Sequence, residues 1–322
     1  MMTKNEFEKK QILFAFLNAG EKVSFSNDNI IIKDPNGKVK HQSTCYRLFM
    51  VFIIGHISVT SGLLQRAHKF NFTIILMTPG LRIYQYLGTP MEGNVLLRRH
   101  QYGYNGLKLG KKILENKVHN QRMLLTQERG KNVAIKEAID KIKAYEIAIS
   151  SYDGELSGLL GLEGCAARMY FANCFNNVEW HGRKPRIKND YVNSTLDIGY
   201  TLIFNFIDAM LNMYGFDTYC GVLHKEFYMR KSLVCDFVEP FRVIIDKQVK
   251  KAINLEQCKA EDFTCVNGRY LLEWKHNPAY ITFLMQPILK YKDDIFQYVQ
   301  SFYRAFMKNK NVSEYPVFKT EA

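Results

Sequence analysis

The sequence predicts an α+β fold, in which a small N-terminal β-rich domain is joined to a larger all-α-helical domain. Two observations support this prediction. Up to residue 87, short apolar segments rich in β-branched and aromatic residues alternate with turn residues, which is typical of strands. Beyond residue 94, the segments are long and place apolar residues at helical spacing. We therefore assign residues 1–87 to the β-rich domain, 88–94 to a linker and 95–322 to the helical domain.

The N-terminal domain is predicted to contain six strands and one helix. The strands cover residues 22–26, 29–33, 38–41, 48–54, 73–77 and 82–87. The Asn36-Gly37 pair suits a tight hairpin turn after the second strand. Residues 58–70 carry apolar side chains at helical spacing, which predicts a short helix that crosses over the sheet.

The helical domain is predicted from its periodicity. Helices are expected over residues 95–102, 107–127, 131–150, 158–175, 191–214 and, in large part, 280–307. The third of these has Ile135, Ala138 and Ile142 on one face and alternating charges on the other. Residues 243–253 and 269–274 show no clear pattern. The tail from Lys308 is polar and is expected to be disordered.

The charge of the chain favours a polyanionic partner. The 322 residues include 44 Lys and Arg against 31 Asp and Glu, which gives a net charge of +13. A surplus of this size favours nucleic acid first and an acidic membrane surface second. Hydrophobic residues make up 47% of the chain, so a sizeable core can form.

The cysteines and the N-terminus indicate a cytoplasmic protein. The seven cysteines include no CxxC pair and are odd in number, which argues against a zinc ribbon and a secreted disulfide scaffold. The N-terminal residues are polar and lack the apolar core of a signal peptide. The longest apolar run, near residues 48–57, is too short to span a bilayer. We therefore expect reduced thiols and no membrane segment.

One stretch, residues 224–242, concentrates ionisable side chains in an apolar setting. It contains His224, Asp236 and Glu239, and both acids lie within the run SLVCDFVEPF. A desolvated carboxylate is costly unless it is paired or binds a metal. Because the acids are three residues apart, a helical turn would place both on one face. The alternative is a helix start whose acids accept hydrogen bonds from the backbone.

A third acid, Glu163, lies in a helix of otherwise apolar and small residues. It could be an N-terminal acid favoured by the helix dipole, or a buried acid that needs a cation. Glu163, His224 and Glu239 are potential ligands for one divalent ion, with Asp236 a close fourth. One nitrogen and several oxygens favour Mg²⁺ or Mn²⁺ over a thiolate zinc site. The alternative is that His224 is a satisfied structural residue.

A basic loop is predicted at residues 176–190. Its basic residues are Arg183, Lys184, Arg186 and Lys188. With Trp180 beside them on a flexible loop, they suit a nucleic-acid backbone, although a solvated loop would look similar. The chain contains no P-loop, GxSxG or HExxH motif, which argues against the nucleotide and hydrolase sites that these motifs mark. Most aromatic residues are expected in the core, although Tyr200 and Tyr228 could line a site.

Several segments resemble one protein family. LLGLEGCAAR (159–168), RIKNDYVNSTLDIGYTLI (186–203) and residues 214–246, with their GVLHKE and DFVEPFR runs, are similar to the CRISPR-associated adaptation integrase. This is the larger, catalytic subunit that inserts new spacers into CRISPR arrays. FIIGHISVTSGLLQRAHKFNFTIIL (52–76) and GNVLLRRHQY (93–102) extend the resemblance over nearly the whole chain.

The resemblance implies a metal-dependent DNA endonuclease and integrase, which joins a 3′-hydroxyl of spacer DNA to a phosphodiester of the repeat. It implies Glu163, His224 and Glu239 as ligands of Mg²⁺ or Mn²⁺ and Asp236 as a neighbouring catalytic acid, although some members have Asp where Glu239 stands. It also implies a homodimer that binds double-stranded DNA together with a smaller dimeric partner protein.

The expected phosphate contacts come from the basic loop and from the end of the 224–242 stretch. They are Arg183, Lys184, Arg186, Lys188 and Arg242. For Arg242, an ion pair with Glu239 or Asp236 is an equal alternative. Two other functions remain open: a general structure-selective nuclease that does not join DNA, and a non-catalytic DNA-binding scaffold.

Overall fold

The computed structural model describes residues 2–55, 59–88, 94–176, 178 and 180–320. Within these ranges a strand-rich N-terminal region precedes a helical C-terminal region, which confirms the predicted fold class. Residues 89–93 of the predicted linker lie outside the described residues, and the domain boundaries stay a prediction.

The N-terminal region contains two sheets and two short helices. In chain order its elements are α1 (Lys4–Glu8), β1 (Gln11–Leu17), β2 (Lys22–Ser26), β3 (Asn29–Lys33), β4 (Val39–Thr44), β5 (Leu48–Gly55), α2 (Ser61–Phe70), β6 (Thr73–Met77) and β7 (Ile83–Leu87). One sheet has the order β1-β5-β6-β7, with β7 antiparallel to its neighbour, and the other has the order β2-β3-β4. Strand β5 is buried along its whole length, as expected for a parallel strand that is paired on both sides.

All six predicted strands are present, and three of them match residue for residue. The hairpin turn between β3 and β4 is held by Asp34, whose carboxylate accepts hydrogen bonds from the backbone N–H groups of Asn36 and Lys38, both at 2.9 Å. Gly37 has a φ of 84°, which glycine adopts without strain. The predicted helix 58–70 is observed as α2, and residue 58 lies outside the described residues. Elements α1 and β1 are absent from the sequence-based prediction.

The C-terminal region is mainly helical and carries one hairpin. Its elements are α3 (Val95–Tyr102), α4 (Lys108–Thr126), α5 (Val133–Ser151), α6 (Leu156–Cys174), α7 (Tyr191–Tyr214), α8 (Ser232–Val238), α9 (Arg242–Asn254), β8 (Phe263–Val266), β9 (Arg269–Leu272), α10 (Asn277–Lys290) and α11 (Lys292–Met307). The hairpin is a departure from the all-helical prediction. The segment predicted as mostly helix over residues 280–307 is two helices, because Tyr291 leaves the helical conformation with φ −98° and ψ 14°.

The C-terminal tail is ordered as far as residue 320, so the expectation of disorder beyond Lys308 was wrong for these residues. Tyr315 and Phe318 are buried in the main core. The backbone N–H of Phe318 donates to Asn116 Oδ1 at 2.8 Å, and its carbonyl accepts from Asn116 Nδ2 at 2.6 Å. Two aromatic anchors in a polar segment are enough to fix the tail against α4.

Two further expectations concern the membrane and the thiols. Among the residues that the structure describes, no helix has both the length and the apolar character needed to cross a bilayer. All seven cysteines are free, and Cys45, Cys174 and Cys258 are buried.

Candidate active site

Two of the predicted acids meet at a lysine. The Nζ atom of Lys117 lies 2.6 Å from Glu163 Oε1 and 2.5 Å from Glu239 Oε2. The three side chains are largely buried, with exposed fractions of 12%, 16% and 5% for Lys117, Glu163 and Glu239. Glu163 is therefore the buried acid that needs a cation rather than an acid near a helix N-terminus.

Three separate elements bring these side chains together. Lys117 lies on the buried face of α4, four residues from Ile113 and from Gln121. Glu163 comes from α6, and Glu239 begins the short 3₁₀ turn Glu239–Phe241 between α8 and α9. The carbonyl of Pro240 in that turn accepts a hydrogen bond from Asn120 Nδ2 at 2.9 Å, so α4 also fixes the turn.

The charges around Glu239 keep it ionised. Burial alone would raise the pKa of its carboxyl, but Arg242 and Lys117 outweigh burial and lower the pKa to about 2. Burial alone would lower the pKa of Lys117, yet Glu239 and Glu163 raise it. Glu239 Oε2 is therefore charged and buried, and the Lys117 ammonium at 2.5 Å neutralises it.

Arg242 forms the ion pair that the sequence left open. Its Nη2 atom lies 3.0 Å from Glu239 Oε1, and its guanidinium stacks 4.7 Å from the ring centroid of Tyr200. The Tyr200 hydroxyl donates to Asp246, which is fully buried and also accepts from Tyr170 at 2.9 Å. Tyr200 is thus a buried support for the cation that holds Glu239.

His224 and Asp236 form a second pair. His224 Nδ1 lies 2.6 Å from Asp236 Oδ1, and Asp236 is fully buried. The same carboxylate accepts hydrogen bonds from the backbone N–H groups of Val222, Leu223 and His224 at 2.7, 3.0 and 3.0 Å. With Nδ1 engaged in this way, Nε2 is the ring atom that a ligand could use.

The loop that carries His224 fits tightly around Asp236. A Cβ atom added to Gly221 would lie 2.6 Å from the carbonyl oxygen of His224 and 2.9 Å from Asp236 Oδ2. On the opposite side, a Cβ on Gly110 of α4 would lie 3.0 Å from Leu223 Cδ1. Helix α4 therefore contacts both pairs, through Lys117 for the acids and through Gly110 for the histidine loop.

The predicted ligands thus form two pairs rather than one cluster. In the described ranges, no three His, Cys, Asp or Glu side chains lie close enough together to hold one ion. Glu163 and Glu239 share Lys117, whereas His224 has Asp236 as its partner. The ligand set Glu163, His224 and Glu239 stays a prediction.

Residues 182–186 of the basic loop are held by side chains of α7, whereas the sequence predicts a flexible loop. Arg183 is only 10% exposed, with Nη2 at 2.5 Å from Asp197 Oδ1 and Nη1 at 2.8 Å from Asn193 Oδ1. The side chain of Asn193 also accepts from the backbone N–H of Lys184 at 2.8 Å and donates to the carbonyl of Gly182. Asn193 and Asp197 therefore fix the loop onto α7, and Arg183 is committed to this contact.

Other residues of the basic loop differ in exposure. Lys184 and Arg186 are exposed, so both can reach a phosphate. Lys188 is half-buried, and burial lowers the pKa of its ammonium. Trp180 is partly buried and packs against Phe171 and Phe175 at the edge of the main core.

One functional candidate, Lys117, was missed in sequence because it is one of several basic residues along the helix predicted over residues 107–127. Its position on the same face as Ile113 and Gln121 was the available signal. Tyr228, for which the sequence left both the core and a site open, is 87% exposed, just beyond His224, and is not a core residue.

Comparison with known proteins decides the family. The model of the family described as CRISPR associated protein Cas1 matches residues 15–284. This chain belongs to the Cas1 family. A Cas1 endonuclease from Thermodesulfovibrio yellowstonii is 28% identical over 281 residues, which cover 81% of this chain and 87% of the relative. A Cas1 endonuclease from Archaeoglobus fulgidus is 27% identical over 271 residues, which cover 76% of this chain and 78% of the relative.

Solved structures show the same fold. A Cas1 protein from Thermotoga maritima has a TM-score of 0.77 at 15% identity, with 96% of this chain and all of the other covered. A casposase bound to integration product has a TM-score of 0.76 at 19% identity and covers 97% of this chain and 96% of its own. A Cas6-RT-Cas1–Cas2 complex gives a TM-score of 0.81 at 22% identity over 98% of this chain, which spans 36% of that longer chain.

Proposed function

We propose that this chain is a metal-dependent DNA integrase and endonuclease of CRISPR adaptation. It joins the 3′-hydroxyl end of spacer DNA to a phosphodiester of the CRISPR repeat. Membership of the Cas1 family supports this function, and the relatives named as Cas1 endonucleases support the nuclease class. The net charge of +13 suits a DNA substrate.

The single observation that carries the proposal is the convergence of Glu163 and Glu239 on one cation. Two buried carboxylates from distant parts of the chain share the Lys117 ammonium at 2.6 and 2.5 Å. Bringing two like charges together is costly, and purely structural acids are more cheaply placed apart. A pair of this kind is typical of a site that binds cations and phosphates.

Mg²⁺ or Mn²⁺ fits the residues that are present. Glu163, Glu239 and His224 would hold it, because the two carboxylates already converge on one cation and His224 presents Nε2. The ion would polarise the scissile phosphate and lower the pKa of the attacking hydroxyl. Asp236 accepts a hydrogen bond from the Nδ1–H of His224, which fixes the orientation of the ring and leaves Nε2 to face a ligand.

The protein's other contribution is positioning and charge. Arg242 holds Glu239 in place from above the Tyr200 ring, and that contact keeps the carboxylate ionised. The exposed Lys184 and Arg186 contact DNA phosphates, while Asn193 keeps their loop in one conformation. Positioning of this kind supplies much of the rate in phosphoryl transfer, because little covalent help is needed.

The working assembly is a homodimer with a smaller dimeric partner protein. A similar structure is a complex of a Cas6-RT-Cas1 protein with Cas2, which supports the second component. Size measurement of the purified chain in solution, alone and with the partner, tests both parts.

A strand-joining assay tests the function. Short duplex DNA with 3′-hydroxyl ends is mixed with repeat-containing target DNA and the protein with its partner, in Mg²⁺, Mn²⁺ or EDTA. Joined product is expected only with a divalent ion and only when the 3′-hydroxyl is present. Glu163→Gln and His224→Ala are expected to abolish joining, and Glu155→Gln, an exposed acid just before α6, serves as the matched control.

The products separate the alternatives. Cut but unjoined DNA would identify a general nuclease. DNA binding with neither cut nor joined product would identify a scaffold. Full strand-joining activity of Glu163→Gln would show that the proposed active site is wrong.

A further inference from the structure

A cleft lies between the end of α4 and the second half of α9. It has a volume of about 620 Å³. Its charged lining residues are Glu128, Arg129, Lys247, Lys250 and Lys251. Four cations against one carboxylate make this a strongly positive cleft, which no part of the mechanism above uses.

The cleft differs from a solvated basic surface because one of its cations, Lys250, is largely buried. Its side chain is 10% exposed, and its Nζ lies 2.8 Å from Glu128 Oε1. In the part of the chain that the structure describes, this ammonium has no aligned hydrogen bond. Because an ammonium has three donors, one carboxylate leaves it with capacity for an anion that enters the cleft.

The other cations of α9 face the same way. Lys247, Lys250 and Lys251 are three and four residues apart, which places them on one helical face. Lys247 is further oriented by a hydrogen bond to Gln127 Oε1 at 2.9 Å. Arg129 completes the lining from the segment that follows α4. The cations therefore converge on the cleft from two sides.

The cleft is connected to the candidate active site by both of its helices. Helix α9 begins at Arg242, which contacts Glu239, and Lys250 follows eight residues later, at about 12 Å along the axis. Helix α4 runs from Lys117 towards the same cleft over about 15 Å. With a rise of about 3.4 Å per nucleotide in one strand, these lengths correspond to about four nucleotides.

We propose that this cleft binds the sugar–phosphate backbone of DNA about four nucleotides from the reacting phosphodiester. The ligand class is a phosphodiester chain, recognised by charge and therefore without base specificity. The proposal rests on the proposed function, because it takes the Glu163–Glu239 pair as the place where the strand reacts.

The test uses a charge-neutralised cleft and a matched control. The cleft variant is Arg129→Gln with Lys247→Gln and Lys251→Gln, which leaves the buried Lys250–Glu128 pair intact. The control removes the same charge from the exposed face of α5 through Lys136→Gln, Lys141→Gln and Lys143→Gln. Binding of labelled duplexes is followed by fluorescence anisotropy at several salt concentrations, with DNA that ends two or ten nucleotides beyond the reacting phosphodiester.

The cleft variant is expected to bind the longer DNA at least about tenfold more weakly, and its slope of log K against log salt should fall by about 2.7. The shorter DNA and the control variant should show little change. Equal loss with both variants, or equal loss on both DNA lengths, would overturn the proposal. If the triple variant unfolds at a lower temperature than the control, Arg129→Gln and Lys251→Gln are measured singly, each with an expected slope change of about 0.9.

The two proposals can fail separately. If wild-type protein joins DNA and the cleft variant behaves as the control, only the cleft is rejected. If no DNA is joined but the cleft variant loses length-dependent binding, the cleft stands as a DNA site and the integrase function falls.

Discussion

The two halves of the candidate active site are held in different ways. Glu163 and Glu239 are like charges from separate elements, and they meet only because Lys117 lies between them. His224 and Asp236 lie in one short stretch, and Asp236 is fixed by three backbone N–H groups. The acid pair therefore depends on a cation, whereas the histidine pair is preorganised by the backbone.

This difference suggests which half responds to metal. A carboxylate pair that is neutralised by a lysine can exchange that cation for another, since ammonium and divalent ions satisfy the same oxygens. A carboxylate that already accepts three backbone hydrogen bonds gains little from a metal. Glu163 and Glu239 are thus expected to be direct ligands, and Asp236 to act through His224.

The largest expected effect comes from removing the shared cation. Lys117→Met should lower the free energy of unfolding by about 3–5 kcal/mol without metal, because two buried carboxylates lose their partner. Added Mn²⁺ should then raise the melting temperature of the variant more than that of wild-type protein. Thermal unfolding with and without Mn²⁺ measures both effects. Lys108→Met, at the exposed start of the same helix, is the control. If Lys117→Met unfolds at the same temperature as this control, the acid pair does not depend on the lysine.

The second-largest effect is expected from a substitution in the loop that holds His224 against Asp236. Gly221→Ala should cost about 1–3 kcal/mol, because its Cβ would collide with the His224 carbonyl and with Asp236. The metal response of melting should change less than in Lys117→Met, since the acid pair is intact. Gly161→Ala on α6 is the matched control, because its Cβ would enter open space. Wild-type stability of Gly221→Ala would show that the loop is not tightly fixed.

The smallest effect concerns the support beneath Arg242. Burial raises the pKa of Asp246 to about 6 from its ordinary value of 3.8, despite the hydroxyls of Tyr200 and Tyr170. A raised pKa means that the folded state binds the proton more tightly, so this carboxyl's contribution to stability falls as the pH rises from about 4 to about 6. The stability of Asp246→Asn relative to wild-type protein should therefore increase over that range.

Melting temperatures between pH 4 and pH 7 measure this trend. Asp262→Asn serves as a comparison, because Asp262 also accepts a hydrogen bond from a tyrosine hydroxyl, that of Tyr280. A constant difference between Asp246→Asn and wild-type protein across the range would contradict the raised pKa.

The local pattern of apolar residues was sufficient to predict most of the helices and strands. Strands such as β3 and β6 and helices such as α3 and α7 have the bounds that periodicity predicts, because each carries its apolar face within its own sequence. The tail was misjudged because Phe318 is fixed by Asn116, about two hundred residues away in sequence. The β8–β9 hairpin carries no strong alternation of its own, and pairing between its strands defines it.

The candidate site was only partly accessible from sequence for a related reason. The acids and His224 were visible as polar residues in apolar runs. Lys117 was hidden, because its role depends on tertiary contacts that bring α4, α6 and the turn after α8 together. Arg183 likewise looked available to DNA, until Asn193 and Asp197 were found to hold it.

Mn²⁺ binding by the purified protein tests the central claim most directly. Titration calorimetry of wild-type protein should show one site per chain, with Glu163→Gln and Glu239→Gln losing it and Asp236→Asn binding about 10–100-fold more weakly. Glu155→Gln should match wild-type protein. Unchanged Mn²⁺ affinity in Glu163→Gln, or equal losses in Asp236→Asn and Glu239→Gln, would contradict the account.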